Sequence, residues 1–216
     1  MKNPQTYGWD WSTFKGSKGG LSLNHRDLTS LDTVMTLVKG RTAVVQAGGN
    51  LGLFPKRLAQ EFQTVYTFEP SPDIFPMLCY NASERNILKF QAALGDLRGL
   101  VGSACVRREG KTKAPHEGVT HIIPKGNVPT LRIDDLCLPV CDLIYLDVEG
   151  SEHVAVLGAV DTIQRCRPVV VVEVNQNVEI VGLTPDIVRA SILRRGYKFL
   201  TRVLGDEVFV PLERAA

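Results

Sequence analysis

A run of valines near the end of the chain limits the possible fold more than any other feature of the sequence. Val169 to Val172 are followed by Glu173 and Val174, so five β-branched residues stand with almost no polar interruption. A strand with one solvent-facing side alternates apolar and polar residues, whereas a strand buried on both faces is a continuous apolar run. Strands of the second kind are typical of parallel sheets covered by helices. The run therefore predicts a central strand of a parallel sheet.

Strand and helix patterns alternate along most of the chain. The predicted strands span residues 42–48, 64–70, 88–96, 141–150 and 167–175. The last of these strands begins at Arg167, since its segment is RPVVVVEVN. The predicted helices span residues 29–39, 53–62, 71–85, 151–165 and 184–196. Repeated strand–helix–strand units predict an α/β fold with a doubly wound, mostly parallel sheet. The last two strands, residues 197–203 and 206–212, are joined by only two residues, so they must be antiparallel.

The alternation predicts one domain, residues 28–216, preceded by an irregular arm, residues 1–27. Trp9 and Trp11 lie in this arm, which we expect either to dock on the domain or to act as a lid. Residues 97–128 interrupt the alternation, and their weak periodicity predicts short strands and a loop. A basic run inside this insert is either a solvated loop or a cover over an anionic acceptor.

The composition excludes several classes of function. Apolar residues make up 44% of the chain and charged residues 22%, which is typical of a globular protein. The formal net charge of +2 gives no reason to expect nucleic-acid binding. No stretch approaches the roughly 18 apolar residues of a membrane span, and the N-terminus lacks the apolar core of a signal peptide. We therefore expect a cytoplasmic protein without a membrane span.

A glycine-rich turn follows the first strand of the alternation. It contains Gly48, Gly49, Asn50 and Gly52. In doubly wound sheets the first strand-to-helix turn commonly contacts a nucleotide-like ligand. Glycine lets the backbone turn sharply and approach a ligand without a Cβ clash, and Asn tolerates left-handed geometry. A tight turn without a ligand would need the same residues, so the turn alone leaves both interpretations open.

An acidic residue at the end of the second strand favours the ligand. Glu69 lies seventeen residues after Gly52, near the spacing at which an acid accepts hydrogen bonds from ribose hydroxyls. The glycines match neither the dinucleotide pattern G-x-G-x-x-G nor a phosphate loop, which would continue Gly-Lys-Ser or Gly-Lys-Thr. The turn and the acid together predict an adenosine-containing ligand without phosphates. S-adenosylmethionine fits that description.

The third strand ends in a loop that we expect beside the adenine of such a ligand. This loop runs from Leu94 to Asp96. Asp96 would accept a hydrogen bond from the exocyclic amine of the adenine. The loop therefore adds the two residues to the predicted cofactor site.

Acidic residues also follow the strand over residues 141–150. Asp147 and Glu149 are candidate proton acceptors, and His153 is a third because of its ordinary pKa. His153 lies four residues after Glu149 in a predicted helix, so it would alternatively pair with that acid. Glu152 is predicted to interact with the helix dipole. Asp147 and Glu173 would alternatively hold a divalent metal, and we expect no other metal site.

Six segments together resemble the FkbM-type methyltransferases. They are VVQAGGNLGLF, VYTFEPSPDIFPMLCYN, AALGD, TLRIDDL, DLIYLDVEGSEHVAVLGA and RPVVVVEV, in this order. The resemblance runs from about residue 43 to residue 175. It implies a class I, Rossmann-like methyltransferase fold with a seven-stranded sheet, S-adenosylmethionine as cofactor and S-adenosylhomocysteine as product. It also implies O-methylation of a hydroxyl on a sugar, glycan or natural product.

The resemblance also implies roles for individual positions. The turn that begins at Gln46 would contact the methionine end of the cofactor, and Glu69 with Pro70 would contact its ribose. Gln46 is a departure, because the family usually has Asp there, and Gly49 replaces a usual Ala. Loss of that charge would weaken cofactor binding by on the order of 1 kcal/mol.

Two other functions remain alternatives. The departure at Gln46 suggests a non-catalytic or specialised binding relative with the methyltransferase fold. A nicotinamide-dependent oxidoreductase is the other, although the glycine spacing and the lack of a second, substrate-binding domain argue against it.

Overall fold

The structure is a computed structural model that describes residues 21–106, 119–174 and 184–214. The tryptophans of the predicted N-terminal arm and the basic run of the predicted insert lie outside these residues, so the predicted lid stays a prediction. Within the described ranges, no helix has both the length and the apolar character needed to cross a membrane.

Seven strands form the main sheet, and three further strands form a smaller one. The strands are β1 (Ala43–Ala47), β2 (Thr64–Phe68), β3 (Ile87–Phe90), β4 (Ala93–Leu94), β5 (Gly99–Val106), β6 (Val119–Leu131), β7 (Leu143–Leu146), β8 (Val169–Glu173), β9 (Tyr197–Val203) and β10 (Asp206–Pro211). The main sheet has the order β3-β2-β1-β7-β8-β10-β9. Its first five strands are parallel, and β10 is antiparallel to both of its neighbours. The predicted fold class is therefore confirmed.

Helices cover both faces of the main sheet. They are α1 (Leu21–Leu37), α2 (Leu53–Leu58), α3 (Phe75–Asn81), α4 (Glu152–Leu157), α5 (Val160–Cys166) and α6 (Pro185–Leu193). Short 3-10 helices span Ile133–Leu136 and Leu212–Arg214. Helix α1 begins at Leu21, earlier than predicted, so residues 21–27 of the predicted irregular arm are helical.

The valine strand is buried on both faces, as its sequence predicts. Val169 to Val172 are at most 1% exposed. Val170 and Val172 belong to the core beneath α4, α5 and α6, whereas Val169 and Val171 belong to the core beneath α1, α2 and α3. Burying a valine side chain contributes about 1.5–3 kcal/mol. The strand therefore stabilises both helical layers at once.

One predicted helix, residues 151–165, is two helices in the structure. The break lies at Gly158, whose carbonyl accepts a hydrogen bond from the backbone N–H of Asp134 at 2.9 Å. A Cβ on Gly158 would lie only 2.0 Å from the carbonyl oxygen of Gly95. The junction between α4 and α5 thus packs directly on the loop after β4. Helical periodicity cannot predict this break, because the contacting residues are remote in sequence.

The predicted insert, residues 97–128, contains longer strands than expected. β5 and β6 are antiparallel, and β4 joins β6 in the smaller sheet. Val101 pairs with Val128, but the next residue, Gly102, pairs with Ile123, so four residues of β6 bulge out of the ladder. Such a bulge interrupts the two-residue alternation of a strand, which explains the weak pattern in the sequence.

We expect Gly158→Ala to destabilise the protein by about 1–3 kcal/mol, because the new Cβ would overlap the carbonyl of Gly95. Urea unfolding followed by circular dichroism measures the loss. Gly99→Ala is the matched control, since its Cβ would meet only Thr130 Oγ1, at an ordinary 3.6 Å. Equal stabilities of the two variants would contradict the close approach at Gly158.

Candidate active site

A cavity lies at the carboxyl ends of β1, β2 and β7, the position at which doubly wound sheets bind ligands. The loops after these strands form its walls together with α3, β4 and β6. The lining residues are Ala47, Gly48, Asn50, Phe68, Glu69, Pro70, Ile74, Ala92, Ala93, Leu94, Ile122, Asp147, Val148, Glu149 and Ser151. Most of the predicted site residues therefore meet in one place.

The backbone of the glycine turn is already hydrogen-bonded within the protein. The N–H groups of Gly48 and Gly49 both donate to the carbonyl of Phe68, at 3.1 and 2.9 Å. The N–H of Gly52 donates to the carbonyl of Gly49 at 2.8 Å, and the N–H of Asn50 donates to Glu69 Oε2 at 2.9 Å. These four N–H groups do not form a phosphate cradle, which agrees with a ligand that lacks phosphates.

Gly48 brings the turn against the loop after β7. Its φ of 83° lies in the left-handed region that favours glycine. A Cβ on Gly48 would lie 1.9 Å from the carbonyl oxygen of Asp147. Only glycine therefore permits this contact between the two loops that line the cavity.

The other two glycines of the turn lie behind the cavity wall rather than in it. A Cβ on Gly49 would approach Leu78 and Thr67 Oγ1 to 2.9 Å, and a Cβ on Gly52 would lie 3.1 Å from the Cβ of Ala82. Both positions pack the turn closely against α3 and β2. A direct contact of these two glycines with the cofactor stays a prediction.

Glu69 is fixed at the end of β2 by two backbone groups. It is 4% exposed. Its Oε2 accepts from the N–H of Asn50, and its Oε1 accepts from the N–H of Ser71 at 2.9 Å. Burial raises the pKa of this carboxyl, and the two backbone hydrogen bonds oppose the increase. Each oxygen keeps a lone pair for another donor, such as a ribose hydroxyl.

An apolar wall stands beside Glu69. Phe68 stacks on Phe90 with ring centroids 4.8 Å apart, and Ile74, Ala92 and Leu94 complete the surface. Such a wall suits a flat aromatic base. Pro70 and Leu94 also line the cavity, and their contact with a cofactor stays a prediction.

Asp96 is placed differently. It is exposed and is not among the cavity-lining residues. The structure therefore does not bring Asp96 to the cavity wall together with Leu94.

Gln46 is fully buried and lies beside the cavity without lining it. Its Oε1 accepts from Thr67 Oγ1 at 2.6 Å. Its Nε2 donates to the carbonyl oxygens of Ala47 at 3.1 Å and of Gly48 at 3.0 Å. The amide thus ties β1 to β2 and holds the start of the glycine turn. An aspartate could not make the two donor bonds.

Three carboxylates meet at the ends of β7 and β8. Asp147, Glu149 and Glu173 each offer an oxygen atom, and these atoms lie within 4.8 Å of one another. The pKa of Asp147 is raised well above its usual range, first by burial of its carboxyl and then by the charges of Glu173, Glu149 and Asp206. A side-chain hydrogen bond with Glu173 acts in the same direction. The pair therefore holds a proton more readily than either acid would alone.

Asp206 is a fourth acid that the sequence analysis missed. It begins β10 and lies opposite Glu173 in the antiparallel pairing. The hydroxyls of Tyr145 and Ser30 donate to its Oδ2, and burial raises its pKa. An acid at the start of the last strand is the only signal in the sequence, and it becomes informative once the strand register is known.

Glu152 fixes the loop that carries Asp147 and Glu149. Its carboxylate accepts hydrogen bonds from the N–H groups of Val148 at 3.0 Å and of Gly150 at 3.0 and 3.2 Å. Glu149 has a φ of 53°, which is uncommon for a residue with a side chain. Burial raises the pKa of Glu152 to about 7. Its position at the start of α4 agrees with the predicted role near the helix dipole.

His153 does not line the cavity. It lies in a separate cleft with Leu157 and residues of α6. Burial lowers its pKa, and the charge of Asp96 opposes the decrease. The structure thus separates His153 from Asp147 and Glu149, although all three were predicted as proton acceptors.

Comparisons with known proteins identify the family of the chain. The sequence model of the FkbM methyltransferase domain matches residues 48–199. No curated protein matches the sequence. The structure of the methyltransferase FkbM from Methylobacillus flagellatus has a TM-score of 0.51 and 18% identity, over 81% of this chain and 44% of that one. The chain thus spans less than half the length of that protein.

A second solved structure is similar along nearly its whole length. DesVI from Streptomyces venezuelae has a TM-score of 0.51 and 12% identity, over 87% of this chain and 92% of that one. At these identities the two structural likenesses show the fold alone.

We expect Gln46→Glu to destabilise the protein by about 1–3 kcal/mol at neutral pH, because a carboxylate oxygen would face two carbonyl oxygens. Burial would raise the pKa of the introduced carboxyl, so its protonated form would persist at low pH and keep one donor. The loss should therefore be smallest in acid and grow as the pH rises. Urea unfolding at a series of pH values from about 5 to about 8 measures this loss of stability.

The exposed residue Gln63 provides the control for this substitution. Gln63→Glu introduces the same charge without burying it. The free energy of unfolding of this variant should therefore equal that of the unaltered protein at every pH. A Gln46→Glu variant that behaved in the same way would show that the amide of Gln46 is not needed as a donor.

Proposed function

Because the chain belongs to the FkbM methyltransferase family, we propose that this S-adenosylmethionine-dependent methyltransferase acts on a hydroxyl group of a sugar, glycan or natural-product-like acceptor. The hydrogen-bonded pair of Asp147 and Glu173 carries the proposal. Methylation of a hydroxyl oxygen requires a group that takes the hydroxyl proton. A partly buried pair of carboxyls at the edge of the cavity supplies such a group.

The cavity residues fit the cofactor. S-adenosylmethionine supplies, when bound, a methyl group on a positively charged sulfur. Glu69 offers acceptor lone pairs to a ribose, and Phe68 and Ile74 offer apolar surface to an adenine. The acids at the ends of β7 and β8 favour a positive charge nearby. The glycine turn supports a ligand without phosphates, because its N–H groups are already bonded.

We assign Asp147 as the residue that takes the acceptor proton. It lines the cavity, and its raised pKa lets it hold the proton during the reaction. Glu149 lines the same wall and would orient an acceptor hydroxyl as a hydrogen-bond acceptor. Glu173, which is not among the cavity-lining residues, shares the proton of Asp147 through their side-chain hydrogen bond. A surface of carboxylate oxygens suits an acceptor that carries several hydroxyl donors.

The same oxygens would also suit a divalent cation. Asp147, Glu149 and Glu173 approach one another closely enough to share one ion, and carboxylate oxygens are the ligands that Mg²⁺ prefers. With a cation bound, the acids would hold the acceptor oxygen through the metal instead of taking its proton directly. Turnover with and without EDTA and added Mg²⁺ separates the two arrangements.

The cofactor assignment of Glu69 is tested by calorimetric titration with S-adenosylmethionine, S-adenosylhomocysteine and NAD. We expect the two sulfur compounds to bind and NAD not to bind. Glu69→Ala should weaken their binding tenfold or more, because it removes the acceptors for the ribose hydroxyls. Glu61→Ala removes a more exposed glutamate and should leave both affinities unchanged. Undiminished binding to Glu69→Ala would refute the assignment.

The proton-acceptor assignment of Asp147 is tested with the methyl-labelled cofactor and a panel of sugars, glycosides and hydroxylated natural products. We expect Asp147→Asn to lower kcat at least about a hundredfold, because an amide cannot take the proton. The affinity for S-adenosylhomocysteine should change little. In the unaltered enzyme kcat/KM should rise with pH through the raised pKa, since only the deprotonated acid acts as a base.

Asp161→Asn is the matched control, because Asp161 is exposed at the start of α5. Full turnover by Asp147→Asn on an accepted hydroxyl substrate would exclude Asp147 as the base. Transfer only to amine acceptors would overturn the proposal of O-methylation and leave the cofactor assignment intact.

A further inference from the structure

A second concave site lies on the outer side of the helical layer, away from the cofactor cavity. The cleft is formed by α4, α5 and α6 and has a volume of about 430 Å³. It shares no lining residue with the cofactor cavity. Its polar lining residues are His153, Gln164, Ser191, Arg194 and Arg195. Nothing in the proposed methyl transfer uses this cleft.

The charge of the cleft is positive. Two arginines, Arg194 and Arg195, line it, and no acid is among the lining residues within the part of the chain that the structure describes. Asp134 acts on Arg195, and Asp96 acts on His153, only through longer-range electrostatics. Arg189, on the same helix, is instead paired with Glu207. Among the described residues, an anion in the cleft would therefore meet cations that no lining carboxylate neutralises.

Two nitrogen atoms in this cleft are buried without a hydrogen-bond partner. They are Arg195 Nε and His153 Nδ1. Arg195 is otherwise held by a hydrogen bond from its Nη1 to the carbonyl of Ser191. Burial lowers the pKa of both side chains, and the charges of Asp96 on His153 and of Asp134 on Arg195 offset this decrease only in part. Unsatisfied buried polar atoms are uncommon in proteins, and a bound ligand or ion is one explanation.

We propose that the cleft between α4, α5 and α6 binds an anion, either a phosphate or a carboxylate. The Arg195 guanidinium donates from Nε and its free Nη2 in the fork geometry that suits both groups. His153 donates from Nδ1 in the tautomer that carries hydrogen there. Arg194 adds a second positive charge at the rim. Leu157, Val160 and Ile187 give the cleft an apolar side, so an organic anion fits it as well as a free one.

Calorimetric titration at low ionic strength, with the cofactor cavity saturated by S-adenosylhomocysteine, tests the proposal. The probes are inorganic phosphate, phenyl phosphate and, as the neutral control, phenol. We expect saturable binding of both phosphates and none of phenol. Tighter binding of phenyl phosphate would identify an organic anion as the ligand class, whereas equal binding would identify a free phosphate.

Arg195→Gln should weaken phosphate binding tenfold or more, because it removes the charge and the donor fork. Arg85→Gln is the matched control, since Arg85 is exposed near the end of the loop between α3 and β3, and this variant should bind phosphate normally. If Arg195→Gln does not fold, Arg194→Gln serves as the second variant, because its side chain is exposed. Arg194→Gln should weaken phosphate binding less than Arg195→Gln does.

A shift of the His153 imidazole resonances on adding phosphate places the anion in the cleft. Absence of saturable binding, or binding that Arg195→Gln and Arg194→Gln leave unchanged, would overturn the proposal. If the protein fails to bind S-adenosylhomocysteine, the titration is made without it, so the two sites are tested separately.

Discussion

The contact between Gly48 and the carbonyl of Asp147 joins the two halves of the candidate active site. One wall of the cavity, proposed to hold the cofactor, depends on the turn after β1, and the opposite wall, with the proposed proton acceptor, depends on the loop after β7. β1 and β7 are parallel neighbours, so their carboxyl ends are adjacent, but only a residue without Cβ lets the loops touch. The same turn holds Glu69 through the N–H of Asn50. One backbone contact therefore sets the distance between Glu69 and the carboxylates of Asp147, Glu149 and Glu173.

The acid cluster carries an electrostatic cost that the surrounding fold offsets. Asp147, Glu173 and Asp206 lie close together, and burial raises the pKa of Asp147 and Asp206. Hydroxyl donors stabilise Asp206, and Glu152 holds the neighbouring loop through backbone N–H groups. Raised pKa values at clustered acids are common at functional sites. The geometry and the perturbed proton affinities thus point to the same place.

Much of the cavity lining was predictable because its signals are local in sequence. The glycine turn and Glu69 end consecutive strands, and strand ends of a parallel sheet meet at one edge. The contacts of individual side chains were not predictable where the contacting residues are remote in sequence. Gln46 has the sequence position of a cofactor-binding residue, but its amide bonds to Thr67 and to the turn. His153 follows Glu149 by one helical turn, yet Glu149 lies in a left-handed loop before the helix begins, so the two separate.

The sequence by itself determined the layered α/β fold, the family, and the edge of the sheet at which the cavity lies. The reason is that apolar runs and glycine turns express short-range rules of burial and backbone geometry. Only the tertiary structure decided that Asp206 joins Asp147 and Glu173, because that meeting requires the antiparallel register of β10 on β8. It also decided that α4 ends at Gly158 and that Arg195 and His153 share a cleft. These are contacts between residues far apart in the chain, which only packing brings together.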